Sequence, residues 1–250
     1  MQRHHLIKFF LSVLLISASF AIHGQVVNVE EKRLRNDDGL MGSADLKFNF
    51  TKNKNEVIDL KNNIQLSYKR GRHRYLFLNK LEVIKSGDSD VLNNGFQHLR
   101  YNYELTKFVT VEGFAQYQFN QIREIDRRIL VGGGPRFSLI DGDSIRVNLG
   151  IQIIREWEKT DTYHQNFRSS NYLSIFWQIN KTLRFISTTY FQPLVDDLDN
   201  YRISHESGLL VPISAKFNIE VSYELLYDTH APEGVPRTMY SFNTGMVYTF

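Results

Sequence analysis

His205 and Ser207, in the stretch "ISHESGLL", are the pair in this chain whose types and spacing come nearest to nucleophilic chemistry. A neutral imidazole beside a hydroxyl can take its proton and ready it to attack an ester, provided an amide or carboxylate orients the ring. A separation of two puts both side chains on one side of an extended strand. Ser187 and Thr189 on the preceding strand share that side, but neither neighbouring strand offers an Asn or Asp there, so the set lacks its orienting group. The remaining chemistry is thinner. "LVGGGPR" has no Lys-Ser/Thr and no following helix, and so reads as a bend or close-packing point, with a bulge to accommodate Pro135, and not as a phosphate loop. The acidic residues Asp88, Asp90, Asp196, Asp197 and Asp199 lack calcium-loop spacing, and His73, His98, His164, His205 and His230 form no recognised ligand pair. Neither a metal nor a cofactor is expected.

Residues 1–24 read as a cleaved signal peptide: Arg3 and Lys8, an apolar stretch from Phe9 to Ile22, and a small residue, Gly24, before Gln25. The stretch falls short of the ~20 residues of a membrane-spanning helix. The formal charge of +3 comes from 30 basic and 27 acidic residues, and removing Arg3 and Lys8 brings it close to balance, which argues against a nucleic-acid partner. The basic turn "KRGRHR" suits lipid headgroups or water better than a nucleic acid. With 0 cysteines, stability rests on packing and strand pairing.

The elements that must position these residues show themselves by alternation. Phe217, Ile219, Val221, Tyr223, Leu225 and Tyr227 share one face, and Asn218, Glu220, Ser222 and Glu224 the other. Similar runs begin near residues 40, 57, 74, 96, 108, 128, 144, 168, 183, 200, 217 and 238, giving about twelve strands. At ~3.3 Å per residue and a tilt of about 45° such strands span roughly 25 Å, the height of a membrane's apolar band. Connections after odd strands, such as "KSGDSDVLNNG" and "WEKTDTYHQNF", are mostly longer than those after even strands, although "KNKNE" is short. The expectation is an all-β, closed antiparallel transmembrane β-barrel over 40–250, after a periplasmic lead-in over 25–39, in the outer membrane of a Gram-negative bacterium following export.

In that arrangement the apolar face meets lipid. The polar face lines a lumen with Arg100, Glu104, Glu112, Arg128, Arg136, Arg146, Arg184, Arg202, Glu206, Glu220 and Glu224, joined by Lys61 and Glu82. Charges so enclosed must pair or stay wet, giving either a salt-bridged filling or a narrow pore for small polar solutes. A soluble barrel would reverse the two faces. Aromatic residues near strand ends, among them Tyr68, Tyr75, Tyr103, Phe108, Tyr227 and Tyr248, fit interfacial girdles.

The chain ends "MYSFNTGMVYTF", with Tyr240, Phe242, Met246, Tyr248 and Phe250 on one face. This ending resembles the signal of outer-membrane barrels read by their assembly machinery. With the lead-in "RNDDGLMGSADLKFNF" and the central "RRILVGGGPRFSLI", the chain resembles a bacterial outer-membrane barrel family, domain of unknown function 481, labelled salt-induced outer-membrane protein. The resemblance implies a small barrel and carries over no catalytic residues. His205 and Ser207, on the outside of such a barrel, resemble part of the outer-membrane phospholipase arrangement. The readings are therefore a non-enzymatic, monomeric, porin-like envelope protein whose partners are lipid and the assembly machinery; a lipid-modifying hydrolase; or a soluble periplasmic binding barrel.

Overall fold

The computed structural model describes residues 38–52, 56–86, 89–214 and 216–249. The expected signal peptide, most of the lead-in and Phe250 lie outside the described residues. Twelve strands follow in chain order: β1 (Gly39–Lys52), β2 (Glu56–Arg70), β3 (His73–Ser86), β4 (Ser89–Glu104), β5 (Val109–Asn120), β6 (Ile125–Asp141), β7 (Ile145–Lys159), β8 (Tyr163–Asn180), β9 (Leu183–Pro193), β10 (Tyr201–Pro212), β11 (Phe217–Asp228) and β12 (Thr238–Thr249). Each pairs antiparallel with the next, and β12 returns to β1 to close the barrel. The expected strand starts agree closely except at β4 and β8, which begin earlier. Eleven seams run most of the strand length, but β1 and β12 share two residue pairs among the described residues, Ser43 with Thr249 and Ala44 with Tyr248.

The two faces are disposed as the membrane reading requires. On β11, Ile219 is 42% and Val221 47% exposed, while Asn218 is 5% and Glu224 6% exposed. On β7, Ile151 and Ile153 face outward while Gln152 and Glu156 are buried. Alternation of side chains makes this automatic once one residue of a strand is placed. A soluble barrel would show the opposite order. Aromatic rings gather at both rims of the outer face: Tyr68, Tyr75 and Tyr101 at the end where the described chain begins and ends, and Phe191, Tyr201 and Tyr227 at the other. We call these the terminal end and the distal end.

The expected contrast of long and short connections is weaker than the alternation. β3 and β4 pair as far as Ser86 and Ser89, and β7 and β8 as far as Lys159 and Tyr163. Polar residues assigned to loops thus extend the hairpins, since a strand that has risen clear of hydrocarbon can be polar on both faces. The longer distal connections are 194–200 and 229–237.

The "LVGGGPR" segment of β6 is the close-packing point that was one of its two expected readings. A Cβ on Gly132 or Gly134 would lie 2.6 Å from the carbonyl oxygen of Ile153 or 2.1 Å from that of Ile151, so the approach of β7 admits glycine alone. The pairing with β7 passes from Gly133 to Arg136, leaving Pro135, which has no N–H, where the ladder is interrupted. The bulge itself lies further on, between Ser138 and Ile140.

Candidate functional site

The lumen holds two carboxylate hubs. Nearer the terminal end, Glu112 of β5 is 1% exposed. Its Oε2 accepts hydrogen bonds from the Tyr172 hydroxyl at 2.7 Å, Gln152 Nε2 at 2.7 Å and Arg100 Nη1 at 3.3 Å, while Oε1 lies 3.4 Å from Arg136 Nε. Tyr172 reaches it by lying across Gly150, where a Cβ would fall 2.0 Å from the ring. Arg100 Nε also donates to His98 Nε2 at 3.2 Å, and His98 Nδ1 sits 3.0 Å from Gln116 Oε1. These two bonds fix a neutral imidazole with its proton on Nδ1.

Nearer the distal end, Glu156 of β7 is 0% exposed. Around it stand Arg128 at 2.5 Å, Arg202 at 3.1 Å and Arg168 at 3.4 Å. Arg202 further binds Glu158 at 3.0 Å and Asp228 at 2.7 Å. Arg123 enters from the tight loop after β5, where Glu124 takes φ 54° and Asn120 Oδ1 accepts the Arg123 N–H at 3.0 Å. Its Nη2 lies 3.6 Å from Asp228. Burial, then the charges of Arg202 and Arg128, pull the Arg123 guanidinium down to about 10, so it remains charged at neutral pH.

Space remains between and beyond the hubs. A cavity of about 70 Å³ touches Arg100 and Gln152 of one and Arg128 and Arg202 of the other. A terminal vestibule of about 350 Å³ lies beneath Arg136. A distal recess of about 540 Å³ is bordered by Glu124, Asp126 and Asp161. On the opposite wall Lys61 pairs with Glu82, and Lys80 lies 3.9 Å from Glu224.

The structure places the sequence-derived lumen residues as follows. Arg100, Glu112, Arg128, Arg202, Glu206 and Glu224 are buried within the lumen. Glu104, Arg136, Arg146, Arg184 and Glu220 are half-buried on the same strand faces, with Arg184 Nε donating to Gln178 Oε1 at 3.0 Å. Missing from the expectation are Glu156, Glu158, Arg168, Asp228 and Arg123. The first two continue the β7 alternation past Ile153, a signal present in the sequence but lost where the strand was ended too early. Arg123 carries no such signal, because a loop and not a strand period delivers it.

On the outer face, His205 Nδ1 sits 2.8 Å from Thr189 Oγ1. No hydrogen bond joins His205 to Ser207 among the described residues, and Ser207 pairs across to Ser187 and Tyr223. Tyr240 is 62%, Phe242 71% and Met246 57% exposed on that face, and Tyr248 packs its ring 5.2 Å from that of Phe217.

Comparison with solved structures finds the same fold at low identity. The NanC porin matches with a TM-score of 0.50 at 11% identity, covering 84% of this chain and 98% of that one. The KdgM porin in complex with disordered oligogalacturonate gives 0.47 at 10%, covering 84% and 99%. The translocator domain of the autotransporter NalP from Neisseria meningitidis gives 0.49 at 10%, covering 98% and 96%. No curated protein matches. Residues 44–250 match the family described as "Protein of unknown function, DUF481". With nearly all of its twelve-stranded barrel accounted for by that match, the chain belongs to this family.

Proposed function

We propose that this protein is a non-enzymatic, narrow channel for small polar solutes in a bacterial outer membrane, restricted by its own ion-pair network. The reading rests on one observation: a cavity touching both hubs and a wider polar vestibule at the terminal end are lined mostly by inward-facing side chains of the barrel wall. Side chains can swing aside where a strand or plug cannot, so the Glu112 and Glu156 hubs act as constrictions of a path. The apolar exterior with its aromatic rims supports residence in the outer membrane, and the exposed aromatic face of β12 supports delivery by the barrel assembly machinery.

The test is current through the purified barrel in planar bilayers. Wild type is expected to pass small, intermittent currents. Arg202→Ser, which removes the guanidinium joining Glu156, Glu158 and Asp228, is expected to raise conductance several-fold. Folding of each sample is checked by the heat-dependent shift of its gel mobility. Folded wild type and folded variant that both pass no current at any salt concentration would refute the channel.

A further inference from the structure

Basic side chains outnumber acidic ones along the terminal vestibule, with Lys69 3.8 Å from Asp38 and Arg136 3.4 Å from Glu112. Lys69, Arg72, Arg74, Lys107, Arg136 and Arg146 border its roughly 350 Å³, against two acidic residues, Glu104 and Asp141. The distal hub, by contrast, sets Arg123, Arg128, Arg168 and Arg202 against Glu156, Glu158 and Asp228, close to balance. The basic residues come from several walls: Arg74 from β3, Arg136 from β6 and Arg146 from β7, with Lys107 on the β4–β5 turn. They reach the space from β2 through β7, alongside Ser174, Phe176 and Ile186 of β8 and β9.

The guanidiniums are also held in place. Arg136 Nη2 donates to Thr110 Oγ1 at 3.0 Å, and the Arg146 guanidinium lies 4.5 Å from the centre of the Phe176 ring. Such anchoring fixes the direction from which each guanidinium faces the vestibule. An independent sign of a missing partner comes from Asn102, which also borders the vestibule. Its side chain is 3% exposed, and neither its amide nitrogen nor its carbonyl oxygen has a hydrogen-bond partner. A buried amide in that condition is normally satisfied by something bound beside it.

We propose that the vestibule is a binding site for a small organic or inorganic anion carrying two or more negative charges, of the phosphate or polycarboxylate class. The volume is at the lower end of small-molecule sites, roughly 300–1,000 Å³, and suits a compact ligand. The anion offsets the excess of basic over acidic side chains along the lining and accepts from Asn102 Nδ2. This deepens the channel reading and rests on it for the side of the membrane concerned: the vestibule, at the end bearing both termini, opens to the periplasm. It makes that mouth the one that concentrates anions, whereas Glu124 and Asp161 at the distal recess repel them, Asp126 there being paired with Lys159 at 2.6 Å.

The test is titration calorimetry on the detergent-solubilised, folded full-length barrel, which needs no membrane and no current. Pyrophosphate and citrate are the probes, with acetate and spermidine as controls. Pyrophosphate or citrate is expected to bind at least tenfold more tightly than acetate, spermidine not at all, and the affinity is expected to fall steeply as salt rises. Arg74→Gln with Arg146→Gln, which spares both hubs, is expected to weaken binding at least tenfold, and Asn102→Ala to weaken it several-fold. Tighter pyrophosphate assigns phosphate, and tighter citrate assigns carboxylate. Wild type that binds neither probe better than acetate, or a folded double variant that binds both like wild type, would overturn the site. A barrel that binds but carries no current keeps the site and loses the channel.

Discussion

Glu156 has no exposure and three guanidiniums, so its charge is held by its neighbours and not by water. Glu156→Gln leaves Arg128, Arg168 and Arg202 facing one another with the charge at their centre removed. Breaking an enclosed pair of this kind costs about 3–5 kcal/mol, because the remaining charges stay buried without compensation. Denaturant unfolding of the folded barrel in lipid or detergent should show a loss of that size. The same substitution at the half-buried Glu220 should cost under ~1 kcal/mol. At this scale the sequence was readable wherever a side chain takes its direction from a strand: Arg100, Glu112, Arg128 and Arg202 follow from alternation alone. Their grouping into two hubs does not, since it depends on strand stagger and on Tyr172 crossing Gly150 from β8. Arg123 depends on a left-handed residue in a loop, which periodicity does not record.

Elements behave less uniformly. Most strands begin within a residue or two of where alternation first appears, because register is enforced on a surface with oil outside and water inside. β4 and β8 escaped because Asp90, Asn93 and Asn94 in one and His164, Gln165 and Asn166 in the other interrupt the alternation of their distal parts without ending the strand. β6 offers a paired test. Pro135 sits where pairing to β7 is already interrupted, so Pro135→Ala supplies an N–H with no ladder position to fill and should shift stability by less than ~1 kcal/mol. Gly134→Ala, one residue away, drives a methyl to within contact of the Ile151 carbonyl and should cost about 1–3 kcal/mol or displace β7. Equal effects from the two would contradict the account of this strand given by its neighbours.

For the whole molecule, the decisive fact is that its oily side is outside. Membranes washed with carbonate should retain the protein in the pellet, and release into the supernatant would contradict the arrangement of Ile219 and Val221 against Asn218 and Glu224. Fold class and approximate strand number were legible because both follow from period and length. The electrical asymmetry between a basic terminal mouth and an acidic distal one was not. Lys69 and Arg74 stand together in the turn "KRGRHR", but Arg136 and Arg146 lie more than sixty residues away, and only the folded sheet brings the two hairpins to one opening.

That closure is uneven. Ten to fifteen residue pairs fasten most neighbouring strands, yet β1 meets β12 through Ser43 and Ala44 alone among the described residues. Mechanically this is a rolled sheet pinned near one rim, with no further residue pairs between its first and last strands among the described residues. Deleting Thr249 and Phe250 removes one of two pins and should abolish the heat-dependent gel shift outright, where deletion of two residues from the 229–237 loop should not. Hydrocarbon offers no substitute for a backbone amide without a ladder partner. This seam is therefore where the wall answers to its lipid: a thinner, wetter bilayer is expected to loosen it before any other pair of strands.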